Sequence, residues 1–361
     1  MISFSAPWQQ GAAIDTRKAR EMAEQSKIEW TDHTFNPWEG CQKVAPECDN
    51  CYAEARDVRF TGGTHWGPKA PRRRTSEQNW NKPRRWSAQA EAFYTTHGRR
   101  QRVFCASLAD VFDNAVDTGW RDDLWALIRE CDQLDWLLLT KRPQNIAKML
   151  PPDWGDGWPH VWLGTSAGTQ KTANQNIPHL LGVPAAIHFV SAEPMLGRID
   201  LTEWFHDSDC TGFQNATDHT QWAEEECNCI AAGGPYERTL AWVICGGESG
   251  PNARPMHPGW PTYLADQCAK ANVPFLFKQW GEWLPCTPSA QEPFWNWANG
   301  EGQIDAHHFP DFACWPDNKG WTEDVGCLLK DQVCIAKKVG KKAAGRLLRG
   351  KEWNEVPDGC L

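Results

Sequence analysis

The chain of 361 residues carries a formal net charge of −9 and 41% hydrophobic residues, enough to bury a sizeable core as one large α/β domain with additions, or as two domains. No apolar run approaches the ~20 residues that span a bilayer, so a membrane-embedded protein is excluded and a soluble one expected. Fifteen cysteines would suit a disulfide scaffold in a small secreted chain, but Met1–Gln25 lacks the basic, apolar and small-residue order of a signal peptide, which points to a reducing cytoplasm.

Residues 1–26 read as an N-terminal extension with a charged helix from about Asp15, where Arg17, Lys18, Arg20 and Glu21 leave little apolar face. Lys27–Phe35 is the first strand. The cysteine loop follows it directly, with Cys41, Cys48 and Cys51 in a C-x6-C-x2-C array bent at Gly40 and Pro46. A structural zinc site takes four protein ligands. Three converging thiols either find an outside donor, His33 or Asp32, for zinc, or hold a 4Fe–4S cluster and leave one iron free for substrate or cofactor. A helix over Tyr52–Phe60 follows, and its amide groups stabilise negative charge beside a cluster. Gly62-Gly63 stops it.

Gly62–Lys82 reads as a loop or insertion over the mouth of the site. Seven basic residues and one acid fall between Lys69 and Trp86. Arg72, Arg73, Arg74, Lys82, Arg84 and Arg85 near Trp80 and Trp86 combine charge with aromatic faces, which suits a nucleotide or nucleic acid; a solvated basic loop is the plainer alternative. Twenty-three tryptophans serve mostly core and loop packing, with a minority free for base stacking.

From Arg102 the rhythm becomes regular. Val103–Ser107, Trp136–Thr140, Val161–Thr165, Ile187–Ser191, Ala241–Cys245 and Pro274–Phe277 are short apolar strands, and helices over Trp120–Cys131, Pro143–Leu150, Gln170–Leu181 and Pro258–Ala271 alternate with them. Such alternation predicts a parallel sheet covered on at least one side, as in a partial or near-complete (β/α) barrel over 27–284. Active sites of these barrels lie after the strands. The polar strand ends therefore supply the candidates: Lys141, Arg142, Lys278 and Glu248 for charged groups, Ser107, Asp110, Thr165, Ser191 and Glu193 for hydroxyls, and Gly246 and Gly247 for close backbone approach.

An insertion at about 201–239 holds His206, Cys210, His219, Cys227 and Cys229, a loose donor set for metal. Residues 285–361 form an irregular appendage with Cys286, His307, His308, Cys314, Cys327 and Cys334, then a basic helix over Ile335–Leu348. Lys337–Lys351 carries seven basic residues and no acid, a second patch able to meet phosphates.

Six segments recur in order: Trp30-Thr31-Asp32 with Phe35-Asn36-Pro37-Trp38, the Gly40–Ala53 loop, Leu139-Thr140-Lys141-Arg142-Pro143, Ser191-Ala192-Glu193-Pro194, Gly246-Gly247-Glu248-Ser249-Gly250 and Phe277-Lys278-Gln279-Trp280-Gly281. In these the chain resembles a phage-borne family of three-cysteine proteins of unknown function, distantly related to the radical S-adenosylmethionine (SAM) enzymes. The resemblance implies a barrel of radical SAM type, a 4Fe–4S cluster on Cys41, Cys48 and Cys51, and SAM as cofactor. It also implies an enzyme that cleaves SAM to a 5′-deoxyadenosyl radical, with an electron-donor protein as partner; a nucleotide or nucleic-acid base as substrate is suggested by the phage setting and supported by the two basic patches. The competing class is a nucleic-acid-binding protein built on zinc or a structural iron–sulfur cluster, without SAM chemistry.

Overall fold

The structure, a computed structural model, describes residue 26 and residues 28–205, 239–286, 312–315 and 334–357. Seven parallel strands form one sheet: β1 His33–Phe35, β4 Gln101–Cys105, β5 Leu134–Thr140, β6 Val161–Ser166, β7 Ile187–Ala192, β8 Trp242–Gly246 and β9 Phe275–Gln279. They lie side by side in chain order, and the sheet curls into a half-barrel. Among the described residues β1 and β9 do not pair, so the partial barrel is the form found.

Each strand is buried on both faces, which is why it reads as a continuous apolar run rather than an alternating one. One face carries Phe104, Leu137, Trp162, Phe189, Trp242, Ile244 and Leu276, closed at the bottom by Trp30. Phe104 lies 4.5 Å from Trp30 and Trp162 6.0 Å from Trp242, ring to ring, so the hollow is floored by aromatic rings. The other face carries Val103, Cys105, Trp136, Leu138, Val161, Leu163, Val190, Val243, Phe275 and Phe277. It packs on α5 Thr118–Glu130, α7 Gln170–Leu181 and α8 Gly259–Lys270 through Leu124, Ile128, Ile177, Leu180, Leu264 and Cys268. Each such side chain contributes about 1.5–3 kcal/mol relative to exposure. Asp117 caps α5 by accepting from Gly119 N and Trp120 N, and Thr169 caps α7 in a reciprocal pair with Thr172.

The first strand is shorter than its sequence suggests. Thr31 N donates to Ile28 O and Thr31 Oγ1 to Arg102 O, a turn that tucks Trp30 under the hollow and leaves three residues for β1. Residues 62–100 are likewise more ordered than a loop. The strand pair β2 Trp38–Glu39 and β3 Arg73–Arg74 precedes three short helices, α2 Glu77–Trp80, α3 Lys82–Ser87 and α4 Ala90–His97. The 143–150 helix begins as a tight turn at Pro143–Asn145 and continues as α6 Ile146–Met149.

The expected C-terminal basic helix is replaced by a strand and one helical turn. β10 Trp283–Cys286, β11 Phe312–Trp315 and β12 Cys334–Lys338 form a three-stranded antiparallel sheet, and α9 spans only Lys341–Ala344. Gly340, Gly345 and Gly350 sit at positive φ and bend this segment repeatedly. The tail beyond then lies along β9, where Phe277 N donates to Trp353 O and Glu355 N to Phe275 O, covering a sheet edge. The charged helix expected from Asp15, and the donor set His206, Cys210, His219, Cys227 and Cys229, lie outside the described residues. Of the C-terminal donor set, the backbone of Cys286, Cys314 and Cys334 belongs to the antiparallel sheet, while His307, His308 and Cys327 lie outside.

Candidate functional site

The cysteine loop leaves the C-terminal end of β1 and is built against its neighbours residue by residue. Asn36 Oδ1 accepts from Leu108 N, and Gly40 N donates to Leu108 O. Gly40 has φ +106°, and a Cβ there would stand 2.4 Å from His65 O, so the chain passes His65 only as glycine. Cys41 O accepts from Gly67 N, fixing the first thiol to the 62–67 turn. Cys48 closes a tight turn from Pro46, and Cys51 caps α1 Tyr52–Thr61. All three are free thiols; Cys48 is buried, and Cys41 and Cys51 are half-buried.

Three arms hold this loop onto the sheet. Arg142 Nη2 donates to Gln42 O at 3.1 Å, and Arg142 Nη1 lies 3.5 Å from Cys41 Sγ and 2.9 Å from Asp110 Oδ2. Asp110 is in turn held by Thr140 Oγ1 and Lys141 N. Arg254 forks onto Glu248 through Nε and Nη2, and also reaches Asp49 Oδ2 and Pro46 O; Asn50 Nδ2 donates to Glu248 Oε2. Glu47 Oε1 accepts from Gly168 N and Thr172 Oγ1, tying the loop to the start of α7.

The electrostatics follow from these contacts. Burial first, then the Asp110 charge, pushes the Cys41 thiol up to about 11, while Arg142 opposes both. Burial works against the Arg142 charge most strongly, but Asp110, Cys41 and Asp113 together outweigh it and raise that group further. Burial also works against the Glu248 anion. Hydrogen bonds from Arg254 and Asn50 prevail and hold its carboxyl below the usual range.

Beneath the loop, strand alternation sorts the candidates by face. Residues that share the hollow side with Leu137, Trp162, Phe189 and Leu276 continue upward as Lys141, Ser166, Ser191 with Glu193, and Lys278. Phe189 confirms the assignment, since its ring fills the space a Cβ on Gly164 would take. Thr165 is fully buried on the helix side, where it donates to Thr140 O, and Ser166 lies on the hollow side. Lys278 Nζ pairs with Glu193 Oε1 at 2.7 Å. Lys141 has no ionic partner among the described residues, and the buried Ser166 hydroxyl has no hydrogen-bond partner.

Ser107 is held by Asn36 through its hydroxyl, and its carbonyl accepts from Tyr52 Oη at 2.6 Å. Tyr52 keeps 57% of its surface open, yet burial, followed by the Cys51 charge, raises its phenol. A ring lining a concavity has both properties. Gly247 and Gly281 interlock two backbones: a Cβ on Gly247 would meet Trp280 O at 2.1 Å, and one on Gly281 would meet Glu248 O at 2.0 Å. Gly246 alone of the two glycines faces a candidate side chain, Glu193, at 3.4 Å.

The donor set can be compared with both readings, zinc and an iron–sulfur cluster. Among the described residues no group of three or more His, Cys, Asp or Glu is arranged to hold a single metal ion. Sulfurs sharing one zinc at ~2.3 Å lie in contact with each other, whereas cysteines bound to separate irons of a cluster stand farther apart. The outside donors named for zinc are engaged elsewhere. His33 stacks on Trp86 and bonds Gln101, and Asp32 takes both arms of Arg99, at the end of β1 away from the loop. Among the described residues, neither His33 nor Asp32 is therefore turned toward the three thiols.

In the first basic patch, four of the arginines have acidic partners within the chain. Arg72 is buried against Asp113, Arg73 pairs with Glu39, Arg74 with Asp123 and the Trp80 ring, and Arg84 with Glu130. Trp80 and Trp86 are buried in the core. These residues hold the 62–100 segment in place and present no stacking faces for bases. In the C-terminal patch, Arg349 pairs with Asp266, Arg346 donates to Lys278 O, Lys351 covers Trp353, and Lys338 donates to Pro251 O.

Sequence reasoning missed Arg254, Asn50, Glu47 and Ser166. The first three are loop-locking residues with no periodicity to mark them. Ser166 was legible from alternation, being two residues beyond Gly164 and four beyond Trp162.

A family described as "Protein of unknown function (DUF5131)" matches residues 25–357. No curated protein matches. Among solved structures, a spore photoproduct lyase double mutant with bound AdoMet and a dinucleoside spore photoproduct is similar at 11% identity and a TM-score of 0.33. The match covers 85% of this chain and 68% of that one. No helix among the described residues is long and apolar enough to cross a membrane.

Proposed function

We propose that this chain, which belongs to the family of proteins of unknown function DUF5131, is an iron–sulfur enzyme that binds SAM in the hollow of its half-barrel. Cys41, Cys48 and Cys51 would hold a 4Fe–4S cluster. One observation carries the reading: a three-thiol loop is locked from three sides onto the open end of a curled parallel sheet. Below it, the row of strand ends includes Lys141, with no ionic partner among the described residues, and the buried Ser166 hydroxyl, with no hydrogen-bond partner among them.

When bound, a three-cysteine cluster with SAM supplies one-electron reductive cleavage of the sulfonium carbon–sulfur bond. The chain's own residues bind, orient and exclude water. Lys141, without an ionic partner among the described residues, is the cation for a carboxylate, and the Glu193–Lys278 pair offers an acceptor and a donor side by side. Ser166 and Ser191 offer hydroxyls for a sugar or an amino group. Arg142 and Arg254 keep the thiols over this row, and the aromatic floor of Trp30, Phe104, Phe189, Trp162 and Trp242 closes the hollow from below. The 62–67 turn and Tyr52 wall the side next to Cys41 and Ser107.

The test is purification without oxygen, measurement of iron, sulfide and zinc, then addition of dithionite and SAM. Iron and sulfide in cluster proportion, with 5′-deoxyadenosine formed and lost in Cys51→Ala, is the expected result. Stoichiometric zinc without SAM cleavage returns the chain to the binding-module class.

A further inference from the structure

The sequence offers Arg142 as a contact for ligand charge; the structure turns it toward a thiol. Arg142 is 4% exposed, and its Nη1 lies 3.5 Å from Cys41 Sγ and 2.9 Å from Asp110 Oδ2. Its Nη2 holds the carbonyl of the next loop residue, Gln42, so the guanidinium spans the thiol and the backbone that aims it. Behind it, Asp110 is fixed by Thr140 Oγ1, Phe112 N and Lys141 N. Asp113, 0% exposed, takes Arg72 at 2.8 Å and stands 4.0 Å from Arg142. Two arginines and two aspartates thus balance in a buried network, and Cys41 is the sulfur placed against it.

We propose that Arg142 is a positioning residue for Cys41 as a cluster ligand: it aims the thiolate and raises the potential at which the cluster accepts an electron. This rests on the reading that Cys41, Cys48 and Cys51 hold a 4Fe–4S cluster. The physical reason is general. An N–H donor and a positive charge beside a ligand sulfur stabilise the more negative, reduced form, and cluster potentials follow net charge and hydrogen bonds to sulfur. Burial keeps the interaction from being screened. The redox step is one electron from a low-potential reductant such as dithionite into the cluster, whose net charge falls by one; no bond breaks and no proton moves. Arg142→Met removes the donor to sulfur and one of the cations beside Asp110 and Asp113, leaving Arg72 and Arg121 to face them, so both effects drive the potential down.

The contact with sulfur distinguishes Arg142 from Arg254, which grips the same loop through Asp49 and Pro46. The experiment reconstitutes the full chain with ferrous iron and sulfide in the absence of oxygen. Midpoint potentials are read by electron paramagnetic resonance for wild type, Arg142→Met, Arg142→Lys and Arg254→Met. The expected result is an electron equilibrium about tenfold less favourable in Arg142→Met, ~59 mV more negative for a one-electron couple. Arg142→Lys falls between, and Arg254→Met matches wild type. An unchanged midpoint in Arg142→Met, or an equal shift in Arg254→Met, overturns the proposal. Loss of the cluster from both Arg142 variants, with the fold intact by circular dichroism, overturns it too, because Arg142 then serves loop folding alone. A wild-type chain that takes up no iron and sulfide fails at the underlying reading, and the inference falls with it.

Discussion

The rim that carries the cysteines and the row of strand ends beneath it use polar side chains in opposite ways. On the rim Asp110, Arg142, Glu248, Arg254 and Asn50 bond one another or the loop backbone, and Glu47 ties the loop to Gly168 N and Thr172 through Oε1, its Oε2 alone being buried without a partner among these six side chains. On the row, Lys141 has no ionic partner among the described residues, and the Ser166 hydroxyl is buried without one. A buried polar group costs stability when it is unpaired. The rim therefore reads as architecture and the row as the face turned to a ligand. Substitutions on the two should separate stability from binding.

The largest effect belongs to the network behind the rim. Arg72→Met leaves Asp113 buried and less than fully paired, and a loss of about 3–5 kcal/mol is expected in denaturant unfolding. A loss under about 1 kcal/mol in that titration removes the network from the rim's support. Next come the interlocked glycines. Gly281 has φ +79° and its Cβ would meet Glu248 O, so Gly281→Ala is expected to cost about 1–3 kcal/mol, with displacement of the Glu248 clamp visible as faster amide exchange over residues 46–51.

Arg254→Met is a milder cut on the same rim, since that side chain is one-third exposed. Its sharper signature is in pH. The folded carboxyl of Glu248 lies below its ordinary value of 4.5, so the clamp's contribution is fully present above that value and fades as pH falls through the lower folded value. Amide exchange over residues 46–51 should accelerate in that acidic window in wild type and be insensitive to it in Arg254→Met. The smallest effect on stability belongs to the row. Ser166→Ala and Lys141→Met should shift unfolding by no more than about 0.5 kcal/mol, Ser166→Ala toward greater stability because it removes an unpaired buried hydroxyl. Both should weaken SAM binding by calorimetry. A stability loss without a binding loss would place these residues on the architectural side of the comparison.

The same division explains what the sequence disclosed. Strands and covering helices were legible because apolar runs and 3.6-residue spacing are local signals, and Gln170–Leu181 appears with the bounds its pattern suggests. The short turns and helices between 62 and 100 were not, because the segment is held by remote partners: Arg72 on Asp113, Asn79 of α2 on Asn36 O and Arg84 of α3 on Glu130. The basic patch misled for a related reason. Charge in a sequence has no address until its counter-charge is placed, and Glu39, Asp113, Asp123 and Glu130 lie tens of residues from most of their arginines. At the site, polar residues after strands were found as a class, but their division between rim and row depends on which face each occupies. Thr165 and Ser166, neighbours in sequence, point to opposite sides of the sheet.

The most direct test of the central claim is the electron paramagnetic resonance spectrum of the reconstituted, dithionite-reduced chain, recorded with and without SAM. The account predicts a reduced 4Fe–4S signal whose g-values change when SAM is added, with the change abolished in Cys48→Ala. A signal indifferent to SAM, or a chain that binds zinc in place of iron, contradicts it.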